Sequence, residues 1–137
     1  MSVEENKELV RRMYELLNQR ELDACYELFA PQYVYHHING DLFVEAAKQH
    51  EAEWFQAFPD VHVTIEDIVA EEDKVAVRVT WKGTHLGSGF GWTPTGKKIN
   101  ITNANTFKIA GNRITELWNV CDMRLLQQIS TPLVGGK

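Results

Sequence analysis

Apolar residues recur along this chain with two periods, helical in the first 58 residues and alternating thereafter. Ser2 followed by Glu5 has the spacing of a capping box, and Leu9, Val10, Met13, Tyr14 and Leu17 then repeat at the helical period. This predicts an amphipathic helix ending near Asn18. Leu22, Cys25, Leu28 and Phe29 repeat the signature over a shorter segment, which Pro31 is expected to end, since proline lacks an amide donor and restricts the residue before it. Tyr33 to His37 reads as a short strand. Asn39-Gly40-Asp41 supplies a turn and an N-cap for a third helix with Phe43, Ala47, His50, Trp54 and Phe58 on one face, stopped by Pro59-Asp60.

From there the pattern is strand-like. Val61, Val63 and Ile65 alternate, as do Val75, Val77, Val79 and Trp81 after a Glu71-Glu72-Asp73 turn. Residues 83–98 form a glycine-rich loop. Ile99, Ile101, Asn103, Asn105, Phe107 and Ile109 then share one face of a long strand that turns at Gly111-Asn112. The last strand sets Thr115, Leu117, Asn119 and Cys121 against Ile114, Glu116, Trp118 and Val120, a short helix from Met123 to Ile129 follows, and residues 130–137 read as a frayed tail. Helices first and an antiparallel meander afterwards is the α+β pattern, in which a curved sheet packs its apolar face on helices. No repeat or linker interrupts it, so residues 1–137 read as one domain.

Composition narrows the possible partners. The 137 residues are 44% hydrophobic, enough for one buried core. Fourteen Lys and Arg against 19 Asp and Glu leave a net charge of −5, opposite to the basic footprint that nucleic acid requires. No apolar run approaches the roughly 18 residues of a membrane span, and the start is acidic at Glu4-Glu5, so neither a membrane anchor nor a signal peptide is expected. Cys25 and Cys121 form no C-x-x-C motif and read as reduced thiols, consistent with a cytoplasmic protein.

Candidate chemistry is sparse. Residues 91–98 nearly match a phosphate-binding loop, but Lys98 stands where a Ser or Thr is needed and a strand follows instead of a helix. No metal is expected, because the adjacent His36 and His37 point to opposite faces of a strand, while His50, His62 and His85 lack ligand-pair spacing. His50 sits on an apolar helical face, where a satisfied core histidine is the commoner case, and His62 alternates outward. The anomaly is a set of amides at inward positions. Asn103 and Asn105 lie between Ile101 and Phe107, and Asn119 lies between Leu117 and Cys121. Buried amides are costly unless hydrogen-bonded. Pairing across Gly111-Asn112 brings Asn105 near Asn119, with Trp54 and Trp81 nearby. This is either an internal network that fixes register or the polar part of an apolar pocket for a small organic ligand.

Pro59-Asp60-Val61, Gly83-Thr84-His85-Leu86-Gly87, Pro94-Thr95-Gly96, Gly111-Asn112-Arg113-Ile114 with Glu116-Leu117-Trp118, and Asp122 with Leu125-Leu126-Gln127-Gln128 occur in an order and spacing that resembles the SnoaL-like polyketide cyclases of the nuclear transport factor 2-like superfamily. The resemblance covers essentially the whole chain. It implies an α+β cone, a bent sheet wrapped around a long helix with a deep pocket, and usually a dimer through the sheet. Characterised cyclases of the family close a ring of a polyketide ester by intramolecular aldol condensation without metal or cofactor. They use an aspartate as acid/base on the last strand and a histidine on the strand before. Carried over by spacing, those places fall on Asn119 and Asn105, and neither amide can exchange a proton near neutral pH.

His37 shares a face with Tyr33 and Tyr35 where family members often have a histidine, and its ordinary pKa suits a general base. The sequence therefore points to a cofactor-independent cyclase, isomerase or lyase for an apolar carbonyl or polyketide-like substrate. His37 takes the proton, and Asn105 and Asn119 donate to the developing enolate. Leu17, Tyr35, Trp54, Trp81, Asn103 and Cys121 are expected to line the substrate pocket. Asp122 is out of phase and reads better as an N-cap than as a catalytic group, and Cys121 lacks an evident activating partner. A non-catalytic ligand-binding member of the same fold and a structural dimer module are the alternatives. The expected dimer face carries Thr102, Ala104 and Thr106 beside Trp118 and Val120, since an exposed apolar patch of that kind is avoided by soluble monomers.

Overall fold

The computed structural model describes residues 2–121, 124, 128 and 129. Helix α1, Val3–Asn18, begins at the capping box read from the sequence: Ser2 Oγ accepts from the Glu5 amide at 3.1 Å, and the Ser2 amide donates to Glu5 Oε1 at 2.9 Å. At the other end the Asn18 side chain acts as a strand partner, donating to the Val63 carbonyl and accepting from the Val63 amide, both at 2.9 Å. Arg20 follows with its guanidinium on the Pro59 and Val61 carbonyls and over the Phe55 ring. A short α2, Leu22–Tyr26, leads into strand β1, Phe29–His37.

Two local expectations are corrected here. Pro31 does not end the second helix, which stops at Tyr26, but lies exposed inside β1. It is tolerated because the pairing of β1 with its neighbour shifts register between Phe29 and Val34, where no ladder donor is demanded. Nor does Asp41 cap the third helix. Residues Gly40–Phe43 form strand β2, paired antiparallel with β1, and helix α3, Val44–Ala57, starts after Phe43, which is exposed and not on the buried helical face. Gly40, at φ +120°, allows the hairpin to close where a helix entry was expected.

The remaining strands are β3, His62–Glu71, β4, Lys74–Thr84, β5, Lys98–Ala110, and β6, Arg113–Cys121. The sheet runs β2-β1-β6-β5-β4-β3. Every junction is antiparallel except β1 with β6, which is parallel. This curved, unclosed sheet and the three helices are the α+β fold expected from the pattern. Its inner face carries Val75, Val77, Val79, Ile99, Ile101, Phe107 and Ile109 against Val10, Met13, Tyr14 and Leu17 of α1. A register shift between Lys108 and Ile109 corrects the phase of β6: Ile114, placed outward by strict alternation, is fully buried, while Leu117, Asn119 and Cys121 keep the inner face. The closing helix beyond Cys121, with Asp122, and the tail 130–137 lie outside the described residues apart from Arg124, Gln128 and Ile129.

Between β4 and β5 the chain folds back onto α3. His85 is buried. Its amide donates to the Lys97 carbonyl, its carbonyl accepts from Gly96, and its ring meets Phe58 and Trp92. Phe90 adopts φ +60° with its amide on Glu53 Oε1 at 2.6 Å. Gly89 permits this docking, because a Cβ there would stand 2.0 Å from the Glu53 carbonyl oxygen. Gly89→Ala is therefore expected to destabilise the fold by about 1–3 kcal/mol, as overpacked sites do. Urea denaturation followed by tryptophan fluorescence measures this, and an unchanged midpoint would show that the loop does not depend on that contact.

Candidate functional site

The helices do not fill the concave side of the sheet. A cavity of about 520 Å³ remains, a size that suits a small organic molecule. Its walls come from α1 with Met13, Tyr14 and Leu17, from β1 with Tyr33, Tyr35 and His37, and from α3 with Ala47, His50, Glu51 and Trp54. The 85–97 loop contributes Phe90 and Trp92, and the sheet contributes Trp81, Ile101, Asn103, Asn105, Asn119 and Cys121. Lining residues that are also exposed, Ile38, Asn39 and Val120, stand on the β1–β2 turn and near the end of β6, which puts the mouth there among the described residues. All nine residues singled out from the sequence, His37, Asn105, Asn119, Leu17, Tyr35, Trp54, Trp81, Asn103 and Cys121, stand in this one wall.

Asn105 and Asn119 are directly opposite across β5 and β6. Asn119 Nδ2 donates to Asn105 Oδ1 at 2.5 Å, and Asn105 Nδ2 donates to Tyr14 Oη at 2.8 Å. The amide network exists, and its members line the cavity. Burial drives the Tyr14 hydroxyl well above the ordinary phenol range, so it stays protonated. Two further polar atoms in the lining residues, Trp81 Nε1 and Asn103 Oδ1, are buried without a hydrogen-bond partner. Unsatisfied groups of this kind cost about 1–3 kcal/mol each.

His36 and His37 diverge as their strand requires. His36 lies on the outer face between Asp41 and Glu116, stacked on Trp118, and its pKa is raised by the Glu116 hydrogen bond above all. His37 turns inward and meets His50, with ring centroids 4.8 Å apart, a contact between β1 and α3 that spacing could not show. The Asn39 amide donates to His37 Nδ1 at 3.1 Å, and Trp54 Nε1 donates to His50 Nε2 at 3.2 Å. In each neutral ring the accepting nitrogen is therefore used, and the other carries the proton. Burial, and then the neighbouring His37, push the His50 pKa down to about 4, so His50 is neutral near pH 7. Among the described residues no three of His, Cys, Asp and Glu converge in the manner of a metal site.

Sequence reasoning missed Glu51. It was readable as part of a solvated Glu51-Ala52-Glu53 run, but it lies four residues after Ala47 and three before Trp54, on the same helical stripe. Half-buried and facing the cavity, its carboxyl is raised to about 7 by desolvation. No lysine or arginine stands among the described lining residues.

A family model described as SnoaL-like polyketide cyclase matches residues 7–129. Among solved structures, AclR from Streptomyces galilaeus, a proposed hydroxylase, is 28% identical, with a TM-score of 0.84 over 91% of this chain and 94% of that one. IdmH from Streptomyces antibioticus, a proposed polyketide cyclase, is also 28% identical, with a TM-score of 0.79 over 92% of this chain and 99% of its own. A proposed SnoaL-like polyketide cyclase from Jannaschia sp. CCS1 shares the fold at 24% identity, with a TM-score of 0.85 and 93% of each chain covered. No curated protein matches the chain.

Two predictions follow from the buried groups. Tyr14→Phe leaves the Asn105 amide without its acceptor and is expected to destabilise by about 1–3 kcal/mol in thermal or urea unfolding. Full stability in that variant would mean that the bond to α1 contributes nothing. For Glu51, a folded-state pKa above the unfolded one means that its stabilising balance is complete below about pH 4.3 and is lost as pH rises through about 7. Relative to wild type, Glu51→Gln should thus gain on the order of 3 kcal/mol between about pH 4.5 and 8. His50 acts with the opposite sign, its contribution being present above about 6.5 and lost as pH falls through about 4. Urea midpoints across that range for wild type, Glu51→Gln and His50→Gln test both, and parallel curves would refute the assigned shifts.

Proposed function

Because this chain belongs to the SnoaL-like polyketide cyclase family, we propose that it is a cofactor-independent enzyme of the isomerase or lyase kind, closing or rearranging a ring in a small, mostly apolar, polyketide-like carbonyl compound. The observation that carries this reading is the cavity itself: about 520 Å³, walled by aromatic and aliphatic side chains, with a few convergent polar groups set into it. A structural module would need that space packed.

Enolate chemistry requires donors aimed at the oxygen where negative charge develops. Asn119 lies at the cavity wall, with its amide plane held by Asn105, and Asn105 is itself held by Tyr14. A donor that cannot rotate away needs no reorganisation as charge appears. His37, with Nδ1 occupied by the Asn39 amide, is arranged to offer its other N–H to the substrate. In this arrangement it acts as a hydrogen-bond donor to the developing oxyanion.

The outer face supports pairing with a second copy through the sheet. Val120 is 70% and Trp118 38% exposed, beside the exposed Thr102 and Ala104. Cys25 and Cys121 form no disulfide, which fits a reducing, cytoplasmic setting. No helix among the described residues is long and apolar enough to cross a membrane. Sedimentation at micromolar concentration is expected to give a dimer that Trp118→Lys dissociates; a wild-type monomer refutes the pairing.

Thermal-shift screening against polyketide esters, steroids and terpenoid ketones should identify a stabilising class, since a ligand at 100 times its Kd adds about 2.7 kcal/mol. With the best ester as substrate, His37→Ala is expected to lower turnover by about 100-fold, the usual loss for one oxyanion donor. Asn119→Asp should gain proton abstraction, because it sets a carboxylate in an apolar wall. Binding without turnover by wild type or Asn119→Asp would identify a binding protein instead of an enzyme.

A further inference from the structure

Within the proton-transfer reading above, one participant is missing. An aldol ring closure needs a group that accepts a proton from carbon and later returns one to oxygen, and the amides at the family's Asp and His places can do neither. His37 and His50 each have their accepting nitrogen engaged by a neighbouring N–H. Tyr14, Tyr33 and Tyr35 are held protonated by burial, as is the Cys25 thiol.

We propose that Glu51 is the proton-transferring residue of this cavity, the carboxylate that removes a hydrogen from the carbon beside the substrate carbonyl. Its placement supports this in three ways. It projects from the middle of α3 into the cavity wall, and it is the sole carboxylate among the described lining residues. No hydrogen-bond donor or cation among the described residues engages it, although other carboxylates in the fold are engaged: Glu53 by the Phe90 amide, Asp60 by Thr84, and Asp23 by Lys48. The groups that feel its charge come from three elements around it: Tyr14 on α1, Cys25 and Tyr26 on α2, and Tyr33 and Tyr35 on β1. All are neutral when Glu51 ionises, so nothing quenches it as a base. Burial, which brings it to about 7, makes both protonation states available near neutral pH.

The step balances without a co-reactant. Glu51 takes the C–H proton, the electron pair of that bond becomes the enolate, and the enolate oxygen is held by the N–H donors of the wall. The enolate carbon attacks a second carbonyl of the same molecule, forming the C–C bond, and the resulting alkoxide takes the proton back from Glu51.

A carboxylate base in an apolar cavity can be tested without knowing the natural substrate. 5-Nitrobenzisoxazole loses one C–H proton to a base as its N–O bond breaks, giving a coloured nitrile phenolate. Wild type should accelerate this with a rate that rises with pH through an apparent pKa of about 7. Glu51→Gln should lower kcat by about 100-fold or more, and Glu51→Asp should restore part of the rate with the same form of pH profile. Binding of the probe, followed by quenching of the cavity tryptophans, should persist in Glu51→Gln. Equal rates in wild type and Glu51→Gln overturn the proposal, as does a Glu51→Gln defect confined to KM or binding. If wild type converts the probe through Glu51 but cyclises no polyketide ester, the proposed function fails while this assignment stands.

Discussion

The hydrogen-bond chain from Asn119 through Asn105 to Tyr14 is the constraint on which the interior depends. It crosses from β6 to β5 and then to α1, and Asn105 is only 6% exposed. A one-residue slip of β6 against β5 would strand an amide in an apolar wall and turn Leu117 outward. The chain also fixes how far α1 stands from the sheet at Tyr14, whose ring meets Phe107 edge-on with centroids 6.1 Å apart.

The opposite wall is held by docking of a different kind. The 85–97 loop lies against α3 with backbone so close that Gly87 and Gly89 admit no side chain. Through that contact Phe90 and Trp92 join Trp54 and Phe58 in one aromatic cluster. His85 secures the loop from beneath. Neutral amides on one side and aromatic rings on the other make a medium of low polarity between them. In such a medium a carboxyl cannot keep its solution pKa, and the buried position of Glu51 and its raised pKa are one fact.

The assignment proposed for Glu51 moves proton transfer from the last two strands to α3. The amides on the last two strands retain the capacity to orient and donate, while the capacity to exchange a proton lies across the cavity on α3. Donors and carboxylate face the same enclosed volume, which is the requirement for acting on one substrate.

Much of this was legible in the chain. Ser2 and Glu5 specified a helix start, alternation from Val61 onward specified strands, and inward amides at Asn103, Asn105 and Asn119 marked residues that line the cavity, because each signal is local and set by backbone period. The signals that misled were also local. Pro31 speaks against a ladder but not against an irregular stretch of strand, and Asp41 can serve a hairpin as readily as a helix. What only the tertiary structure decided was proximity and its electrical consequence. His37 meets His50, Asn39 fixes the protonated nitrogen of His37, and its surroundings raise the Glu51 carboxyl. A pKa depends on what surrounds a group in three dimensions, and the elements that surround Glu51 lie up to some 37 residues away along the chain. The sequence by itself therefore determined which residues turn inward, while their proximity and charge state came from the folded packing.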